Sequence, residues 1–218
     1  MRIDINALSP SIQYKLIAST IVPRPIALVT TLSETGTVNA APFSFFNVMG
    51  EDPPILVLGL QTHPDGTLKD TTINIMRDGQ FVVHTVDEAL AEPMNVCGIR
   101  FPSGVDEVRA AGLTVTSSEL VKPPRIVEAP VSFECEKVAF LQISPGRQIV
   151  IGKVLMMHAR DGLIDEESFR IDGNAYKPIG RLHALLYSRQ NDRFVLTRPG
   201  YEEWLADPSS TRARDASD

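Results

Sequence analysis

The chain has 218 residues, of which 43% are hydrophobic and 22% charged, and its formal net charge at pH 7 is -6. This composition is typical of a globular protein and excludes wholesale disorder, collagen and coiled coil. The acidic balance argues against a dedicated nucleic-acid-binding protein, which would show a basic face. No window holds about 18 consecutive apolar residues, so we expect no transmembrane helix and no membrane partner.

The N-terminus and the cysteines indicate the compartment. Asp4 stands where a signal peptide would carry a basic residue, and no apolar segment follows it. Cys97 and Cys135 match neither a zinc pattern nor a disulfide framework, so both are predicted to be small core residues. We therefore expect a cytoplasmic protein. Its single domain would span residues 1–206 and precede a disordered tail at 207–218, whose only apolar residues are alanines.

The front of the chain is rich in strand signals. A β-branched run predicts a strand over 26–32, and the polar stretch 33–37 with its glycine predicts a hairpin turn. Residues 38–49 resume an extended pattern that Pro42 interrupts. Since proline cannot donate a hydrogen bond to a neighbouring strand, Pro42 is expected at a bulge or a sheet edge. An almost wholly apolar strand follows at 55–60.

The middle of the chain is expected to contain helices over 68–77, 88–96 and 105–111 and a strand over 81–86. Gly79 is placed to end the first helix, and Gly112 to end the third. Asp87 is a suitable N-cap for the second helix, which Pro93 would kink or split.

The back half returns to strands, at 131–143 and 148–158, joined by a Ser-Pro-Gly turn at 144–146. Many strands, few helices and short turns predict a mainly β fold with helical additions, a β-barrel. The strict strand–helix alternation of a Rossmann fold is missing.

The common catalytic motifs are absent from the sequence. There is no P-loop, dinucleotide fingerprint, zincin, α/β-hydrolase elbow or C-x-x-C motif. The four histidines are scattered along the chain, so we expect no metal site.

The stretch 39–47 (NAAPFSFFN) carries the first functional signal. Small residues and a proline precede alternating polar and aromatic residues, a pattern that would expose backbone N–H and C=O groups to the edge of a flat heteroaromatic ring. The alternative is an ordinary barrel strand with Phe43 and Phe45 or Phe46 in the core.

A helix start at 69–74 (KDTTIN) carries the second signal. Unpaired N–H groups attract an anion such as phosphate, and Lys69 and the Thr71 hydroxyl add donors. Alternatively, Asp70 or Thr71 simply caps the helix. Arg24, held between two prolines, is a further phosphate candidate, or else a solvated side chain at a strand end.

The segment Gly180–His183, together with Tyr187, is the last candidate. Gly180 permits a tight turn, from which an arginine and a histidine could reach a pocket. A surface loop is the equally open alternative.

Taken in order, these segments resemble the flavin reductase-like family, whose fold is the FMN-binding split barrel, and within it the flavoredoxin-like branch. The resemblance covers about residues 15–190. It rests on Pro-Arg-Pro-Ile at 23–26, Val-Thr-Thr at 29–31, the stretch 39–47, Asp-Pro-Pro at 52–54, Lys-Asp-Thr-Thr-x-Asn-Ile at 69–75 and Phe-Val-Val at 81–83.

The resemblance implies a homodimer that binds one FMN per subunit near the dimer interface. Thr30 and Thr31 would line the flavin from the first barrel strand. The isoalloxazine and ribityl groups would be met, largely through backbone, by Ser44, Phe45, Phe46 and Asn47. The phosphate would be held by Lys69, Asp70 and Thr71, supported by Asn74 and, as a weaker candidate, Arg24.

Two residues depart from the pattern that the resemblance leads us to expect. His84 follows Phe-Val-Val, where asparagine is commoner, and His183 stands where a glycine-rich stretch is expected. His183 would border the flavin face and mark a different electron donor or acceptor.

The implied activity is that of an NAD(P)H:flavin oxidoreductase, in which a nicotinamide passes hydride to FMN. The flavin carries the chemistry, and alignment of the two rings needs no general base. Electrons would then pass to a partner oxygenase or another acceptor. The alternatives are a non-catalytic flavin-binding or electron-transfer module, a barrel for haem or a B6 phosphate, and a purely structural barrel.

Overall fold

The computed structural model describes residues 1–211 and 213–215. Its helices are α1 (Pro10–Thr20), α2 (Asp70–Asp78), α3 (Ala91–Cys97), α4 (Glu107–Ala110) and α5 (Tyr201–Ala206), with 3-10 turns at Ile5–Ala7 and Pro208–Thr211. Its strands are β1 (Ala27–Leu32), β2 (Val38–Phe43), β3 (Phe46–Glu51), β4 (Pro54–Gln61), β5 (Gln80–Thr85), β6 (Val115–Thr116), β7 (Arg125–Ile126), β8 (Val131–Ser144), β9 (Arg147–Ala159), β10 (Ile179–Arg181), β11 (Tyr187–Arg189), β12 (Phe194–Leu196) and β13 (Ala213–Asp215).

Seven strands form one antiparallel sheet in the order β2-β1-β5-β8-β9-β4-β3. The two outermost strands, β2 and β3, are consecutive in the chain and are separated only by Ser44 and Phe45. Because two residues cannot span a flat seven-stranded sheet, the sheet must curl until its edges meet. The Phe45 carbonyl accepts a hydrogen bond from Gly59 of β4 at this junction. The predicted mainly β fold with a barrel is confirmed.

Two hydrophobic clusters share the first strand of the barrel. Ala27 and Val29 point into the barrel, where they pack with residues such as Phe81 and Leu58. Leu28, between them, points outward into a second cluster beneath α3 and α4. Since successive strand residues face opposite sides, β1 is buried on both faces, which explains its continuous apolar sequence.

Glycine makes room for the largest side chain of the barrel interior. A Cβ atom added at Gly152 of β9 would lie 2.4 Å from Cζ of Phe81, which is fully buried. A side chain at this position would therefore collide with the ring that fills the barrel.

Cys97 and Cys135 are free and buried, one in each cluster, which confirms that both are core residues.

Most predicted elements lie within two residues of their observed bounds. Gly79 ends α2 with a φ of 71°, in the left-handed region that favours glycine, and its N–H bonds the carbonyl of Ile75. Pro42 lies in the edge strand β2, opposite Leu28, as expected for a residue without a backbone donor. The break in the extended stretch 38–49 falls at residues 44–45, because there the chain crosses between the two edges of the sheet.

One predicted helix boundary was wrong. The helix expected at 88–96 begins only at Ala91, although Asp87 does accept a hydrogen bond from the Leu90 N–H. Pro93 lies in the first turn, where its missing donor leaves no gap, and it does not split the helix. The third helix is shorter than expected, over residues 107–110, and is followed by Gly112 with a φ of 69°.

The predicted disordered tail lies partly outside the described residues. Its described part contains the 3-10 turn Pro208–Thr211 and β13, which pairs with β12. Disorder of 207–218 and the single-domain boundary stay predictions. No helix in the described residues combines the length and the apolar character that a membrane crossing requires.

Candidate functional site

Two clefts adjoin along the seam where the barrel closes. The first, the apolar cleft, has a volume of about 490 Å³. It is lined by Ile17, Ile21, Pro23, Arg24, Pro25, Ser44, Phe45, Phe46, Asn47, Met49, Val57, Gly59, Leu60, Ile143, Arg147, Gln148 and Ile149. Aromatic and aliphatic walls with a few polar groups are typical of a site for a flat ring.

The second, the polar cleft, has a volume of about 480 Å³. It is lined by Asn39, Ala41, Pro42, Phe43, Gln61, Thr62, His63, Pro64, Lys69, Asp70, Thr71, Cys97, Gly98, Ile99, Arg100, Phe101, Ser103 and Glu107. Phe43 lines this cleft and the next residue, Ser44, lines the apolar one; Leu60 and Gln61 divide in the same way. The stretch 39–47 therefore connects the two clefts.

Lys69 is the lysine of the polar cleft. It is half-buried at the start of α2, and burial lowers its pKa, as do the positive charges of Arg147 and Arg100. Among the described residues, no carboxylate lies within ion-pair distance of the Lys69 ammonium. Arg100 forms an exposed ion pair of 3.8 Å with Asp65, but Lys69 itself stays unpaired beside two arginines in the described part of the chain, which is the electrostatic setting of an anion site.

The first turn of α2 adds uncapped backbone donors beside Lys69. No side chain caps this turn, although Asp70 lies in it and accepts a hydrogen bond of 3.1 Å from Ser103. Thr71 is buried beneath the cleft floor, where its hydroxyl accepts a bond of 2.9 Å from Asn39. That bond leaves the Thr71 hydroxyl proton free to donate.

Arg24 is committed to the protein itself. Its guanidinium donates to the carbonyls of Ala18 and Ile21 in and after α1, to the Leu182 carbonyl and to the Ser44 hydroxyl. It is 7% exposed. Arg24 therefore connects α1 and the β10–β11 hairpin to the seam and positions Ser44 at the cleft. Its guanidinium is not free to bind a phosphate.

Thr30, Thr31 and Asn74 lie apart from the two clefts. Thr30 donates to the Pro124 carbonyl, and the Thr31 hydroxyl accepts bonds from the Asn39 and Asn74 amides. Thr31 and Asn74 are buried between the barrel and α2, whereas Thr30 is buried on the other face of β1, under the segment that contains Pro124. Contact of Thr30, Thr31 or Asn74 with a flavin stays a prediction, and these three residues form no part of the site proposed below.

The two histidines singled out by the sequence have different positions. His84 is completely buried, with Nδ1 at 2.8 Å from the Leu28 carbonyl and Nε2 accepting the Ile126 N–H at 2.9 Å. Burial lowers its pKa to about 4. His183 lies exposed in the β10–β11 turn and lines neither cleft, so its position on the substrate side stays a prediction.

The other members of the C-terminal segment pair within the hairpin. Arg181 lies opposite Tyr187, with its guanidinium 4.5 Å from the centre of the tyrosine ring. The hairpin reaches the site through Arg24, which exchanges two backbone hydrogen bonds with Arg181 and donates from its side chain to the Leu182 carbonyl.

The sequence alone did not indicate four further residues that line the clefts: Arg100, Glu107, Arg147 and Gln148. Glu107 accepts the Ala40 N–H at 3.0 Å, and burial raises its pKa. Arg147 and Gln148 follow the β8–β9 turn, more than 75 residues from Lys69. Only the pairing of β4 with β9 brings that turn to the clefts, where Gln61 lies opposite Arg147. No local pattern could have found them.

No group of three or more His, Cys, Asp or Glu side chains is arranged to hold a metal ion in the part of the chain that the structure describes. The donors at the two clefts are instead amides, guanidinium groups and one ammonium, which bind anions and heterocycles.

Comparison with solved structures gives matches over most of the chain. The protein is 41% identical to the Pseudomonas fluorescens 2-nitrobenzoate 2-nitroreductase, with a TM-score of 0.85 over 92% of this chain and 98% of that one. It is 32% identical to the nitrilotriacetate monooxygenase component B of Bacillus cereus, with a TM-score of 0.84 over 90% and 98%. The flavoredoxin of Desulfovibrio vulgaris shares the fold, at 18% identity and a TM-score of 0.68 over 79% and 90%.

The family model for the flavin reductase like domain matches residues 19–195. This range includes the whole seven-stranded barrel and every residue that lines the two clefts except Ile17. The expected split-barrel fold is confirmed. The chain belongs to the flavin reductase-like family of oxidoreductases.

Proposed function

We propose that the protein binds FMN across the two clefts and acts as an NAD(P)H-dependent flavin reductase. The observation that carries the proposal is the uncompensated charge of Lys69, reinforced by Arg100 and Arg147, directly beside an aromatic-walled cleft. An anionic group joined to a flat, largely apolar ring system matches this pair of clefts. FMN combines the two.

The residues fit such a ligand in two parts. Lys69, the first turn of α2 and the Thr71 hydroxyl would hold the phosphate, with Arg100 and Arg147 adding positive charge. Ser44, Phe45, Phe46 and Asn47 would line the ring, because this stretch faces the apolar cleft. Asp70 would act indirectly, since its carboxylate binds Ser103 and would repel a phosphate.

When bound, FMN supplies the redox chemistry, accepting a hydride from a nicotinamide cofactor and passing electrons to an acceptor. The protein's part is alignment and exclusion of water. Ile17, Ile21 and Met49 line the apolar cleft and would keep water from the transferred hydride. Alignment of the two rings requires no general acid or base, so no side chain is assigned a proton transfer.

The absorption spectrum of the purified protein, before and after FMN is added and the sample desalted, tests the cofactor. Flavin bands that persist support the proposal, and haem or pyridoxal phosphate bands would overturn it. NADH or NADPH is then added to the FMN-loaded protein, and loss of the flavin absorbance without oxygen is expected. Retained flavin that neither nucleotide bleaches would favour the non-catalytic flavin module.

A second candidate activity is direct reduction of a small aromatic acceptor. The 41% identity to a 2-nitrobenzoate 2-nitroreductase favours it, as does Arg147, an exposed guanidinium at the apolar cleft that could pair with an aromatic carboxylate. Consumption of 2-nitrobenzoate by the FMN-loaded protein with NAD(P)H tests this activity. If 2-nitrobenzoate is untouched while free FMN is reduced, transfer to a partner oxygenase is favoured, in line with the likeness to a monooxygenase component B.

A homodimer is part of the proposal. Large apolar side chains remain exposed on strands of the barrel, among them Val48, Met49, Val138, Ile143 and Met157. Exposed apolar residues concentrated on one group of strands are typical of a subunit interface. Light scattering coupled to size-exclusion chromatography should give twice the chain mass of 23.9 kDa.

A cytoplasmic location is also proposed, since Cys97 and Cys135 are free thiols.

A further inference from the structure

Gln148 is a buried polar side chain with an unused acceptor. It lies near the start of β9, opposite Leu60 of β4, and is 1% exposed. Its amide nitrogen lies 3.5 Å from the Pro145 carbonyl, at the outer limit of a hydrogen bond. Its Oε1 atom has no hydrogen-bond partner among the described residues.

The position of Gln148 makes this unused acceptor informative. The residue forms part of the wall of the apolar cleft, together with the stretch from Ser44 to Asn47. A buried acceptor without a partner lowers the stability of a protein, so such groups are rare unless something outside the chain satisfies them. A ligand in the apolar cleft would meet Gln148 with its polar edge.

The other polar side chains of the apolar cleft are less suited to this part. Arg24 and Arg147 carry only donors. The Ser44 hydroxyl already accepts from Arg24 at 3.3 Å, and the Asn47 carbonyl oxygen accepts from the Val48 N–H at 2.8 Å. Gln148 is therefore the buried side chain of this wall, within the described residues, whose carbonyl oxygen accepts no hydrogen bond at all.

We infer that Oε1 of Gln148 accepts a hydrogen bond from the imide N–H of the flavin pyrimidine ring. This inference rests on the proposed function, because it takes the occupant of the apolar cleft to be a flavin. The imide N–H, at position 3 of the ring, is the N–H donor of the oxidised flavin's pyrimidine edge. Gln148 would thus orient the ring within the cleft and select rings that carry an imide N–H.

The test compares FMN with 3-methyl-FMN, in which a methyl group replaces this hydrogen. Dissociation constants are measured by quenching of flavin fluorescence for the wild-type protein and for Gln148→Leu, which has a similar volume. Gln142→Leu is the matched control, because Gln142 lies opposite Gln148 on β8 but is exposed and outside the cleft. Circular dichroism of each variant verifies that it is folded.

We expect the wild-type protein and Gln142→Leu to bind 3-methyl-FMN about tenfold more weakly than FMN. Gln148→Leu should bind FMN about tenfold more weakly than the wild type and should lose the discrimination between the two flavins. Even if Gln148→Leu fails to fold, the wild-type comparison still decides whether the imide N–H is recognised.

Two results would overturn the inference while leaving the proposed function standing. One is equal binding of FMN and 3-methyl-FMN by the wild-type protein, as when a buried water satisfies Gln148. The other is discrimination that persists unchanged in Gln148→Leu, which would mean that the methyl group is excluded by its size alone. If the wild-type protein binds neither flavin, the proposed function itself fails.

Discussion

Two polar clusters in this molecule differ in how completely the chain satisfies them. The first, which we call the clasp, consists of Glu134 and His84 and attaches the segment 119–126 to the barrel. The second consists of Lys69 and Gln148 at the two clefts. Both clusters are buried at least in part, but only the clasp has internal partners for its polar groups.

The clasp is saturated with hydrogen bonds. Glu134 is fully buried and accepts from the N–H groups of Glu119, Leu120 and Val121 at 2.6–3.2 Å, and from His158 at 2.6 Å. Burial raises the pKa of Glu134, but the N–H groups of Glu119 and Leu120 and the His158 side chain outweigh it and lower the pKa below its usual value.

The clefts show the opposite condition. Lys69 faces other cations, and Gln148 holds a carbonyl oxygen with no partner in the described chain. Because buried polar groups in proteins are nearly always paired, a saturated cluster indicates a structural role and an unsaturated one indicates a missing ligand. Changes in the clasp should therefore alter stability, whereas changes at the clefts should alter binding.

The largest effect is expected for Glu134→Ala. Removing the carboxylate leaves three backbone N–H groups and His158 without their acceptor, so the free energy of unfolding should fall by about 3–5 kcal/mol. Urea denaturation measures it. Glu136→Ala, at an exposed position on the same strand, is the control and should change stability by less than about 0.5 kcal/mol. If Glu134→Ala also lowered the free energy of unfolding by less than about 0.5 kcal/mol, the proposed difference between the two clusters would be contradicted.

The pH dependence of stability should follow His84. In the unfolded chain its pKa is 6.5, but in the folded protein it is lowered to about 4, so protonation favours unfolding. The stability is fully present above pH 6.5 and is lost as the pH falls towards 4, by about 3 kcal/mol in total.

Urea denaturation at pH 7.5 and 4.5 measures this loss. His84→Gln should remove most of it, whereas His183→Gln, at an exposed turn, should retain it. If His84→Gln loses as much stability between pH 7.5 and 4.5 as the wild-type protein does, another group must titrate.

Lys69→Ala should act on binding. FMN affinity is expected to fall by about 1.5–3 kcal/mol, the range for a hydrogen bond to a charged group. The stability of the ligand-free protein should not fall, because Lys69 is repelled by Arg100 and Arg147. Calorimetric titration measures the affinity, with Lys153→Ala, an exposed lysine on β9, as control. An unchanged FMN affinity would remove Lys69 from the site.

The smallest expected effect is on the ligand-free stability of Gln148→Leu. Replacing a buried, unpaired amide by an apolar side chain of similar size should raise the melting temperature, equivalent to about 1 kcal/mol. Gln142→Leu should leave it unchanged. A destabilised Gln148→Leu would mean that the amide has a partner in the ligand-free protein, and the two clusters would then differ less than we infer.

Much of the barrel could be predicted because local signals agreed with the final structure. The alternation in 131–135, the apolar run at 55–60 and the glycine after α2 each follow from geometry within a few residues. The start of α3 could not, because Asp87 pairs with Pro178 and Glu88 with Lys177, which hold the chain extended past the expected start.

The candidate site was predicted where one stretch of sequence carries it. Residues 44–47 and 69–71 line or underlie the clefts, and the sequence alone indicated a ring and an anion there. Thr30 and Thr31 lie on opposite faces of β1, where Thr30 bonds Pro124 and Thr31 bonds Asn39. Their contact with a flavin stays a prediction.

By itself, the sequence determined the strands, the barrel class and two stretches that line the clefts, because periodicity and turn chemistry act over short distances. Only the tertiary structure decided which polar groups remain unpaired. The Arg24 guanidinium donates to a carbonyl of α1 and is therefore not free for a ligand. The pairing of β4 with β9 places Arg147 and Gln148 at the seam. Hydrogen-bond satisfaction depends on partners that are distant in the chain, so the folded barrel alone determines which polar groups remain for a ligand.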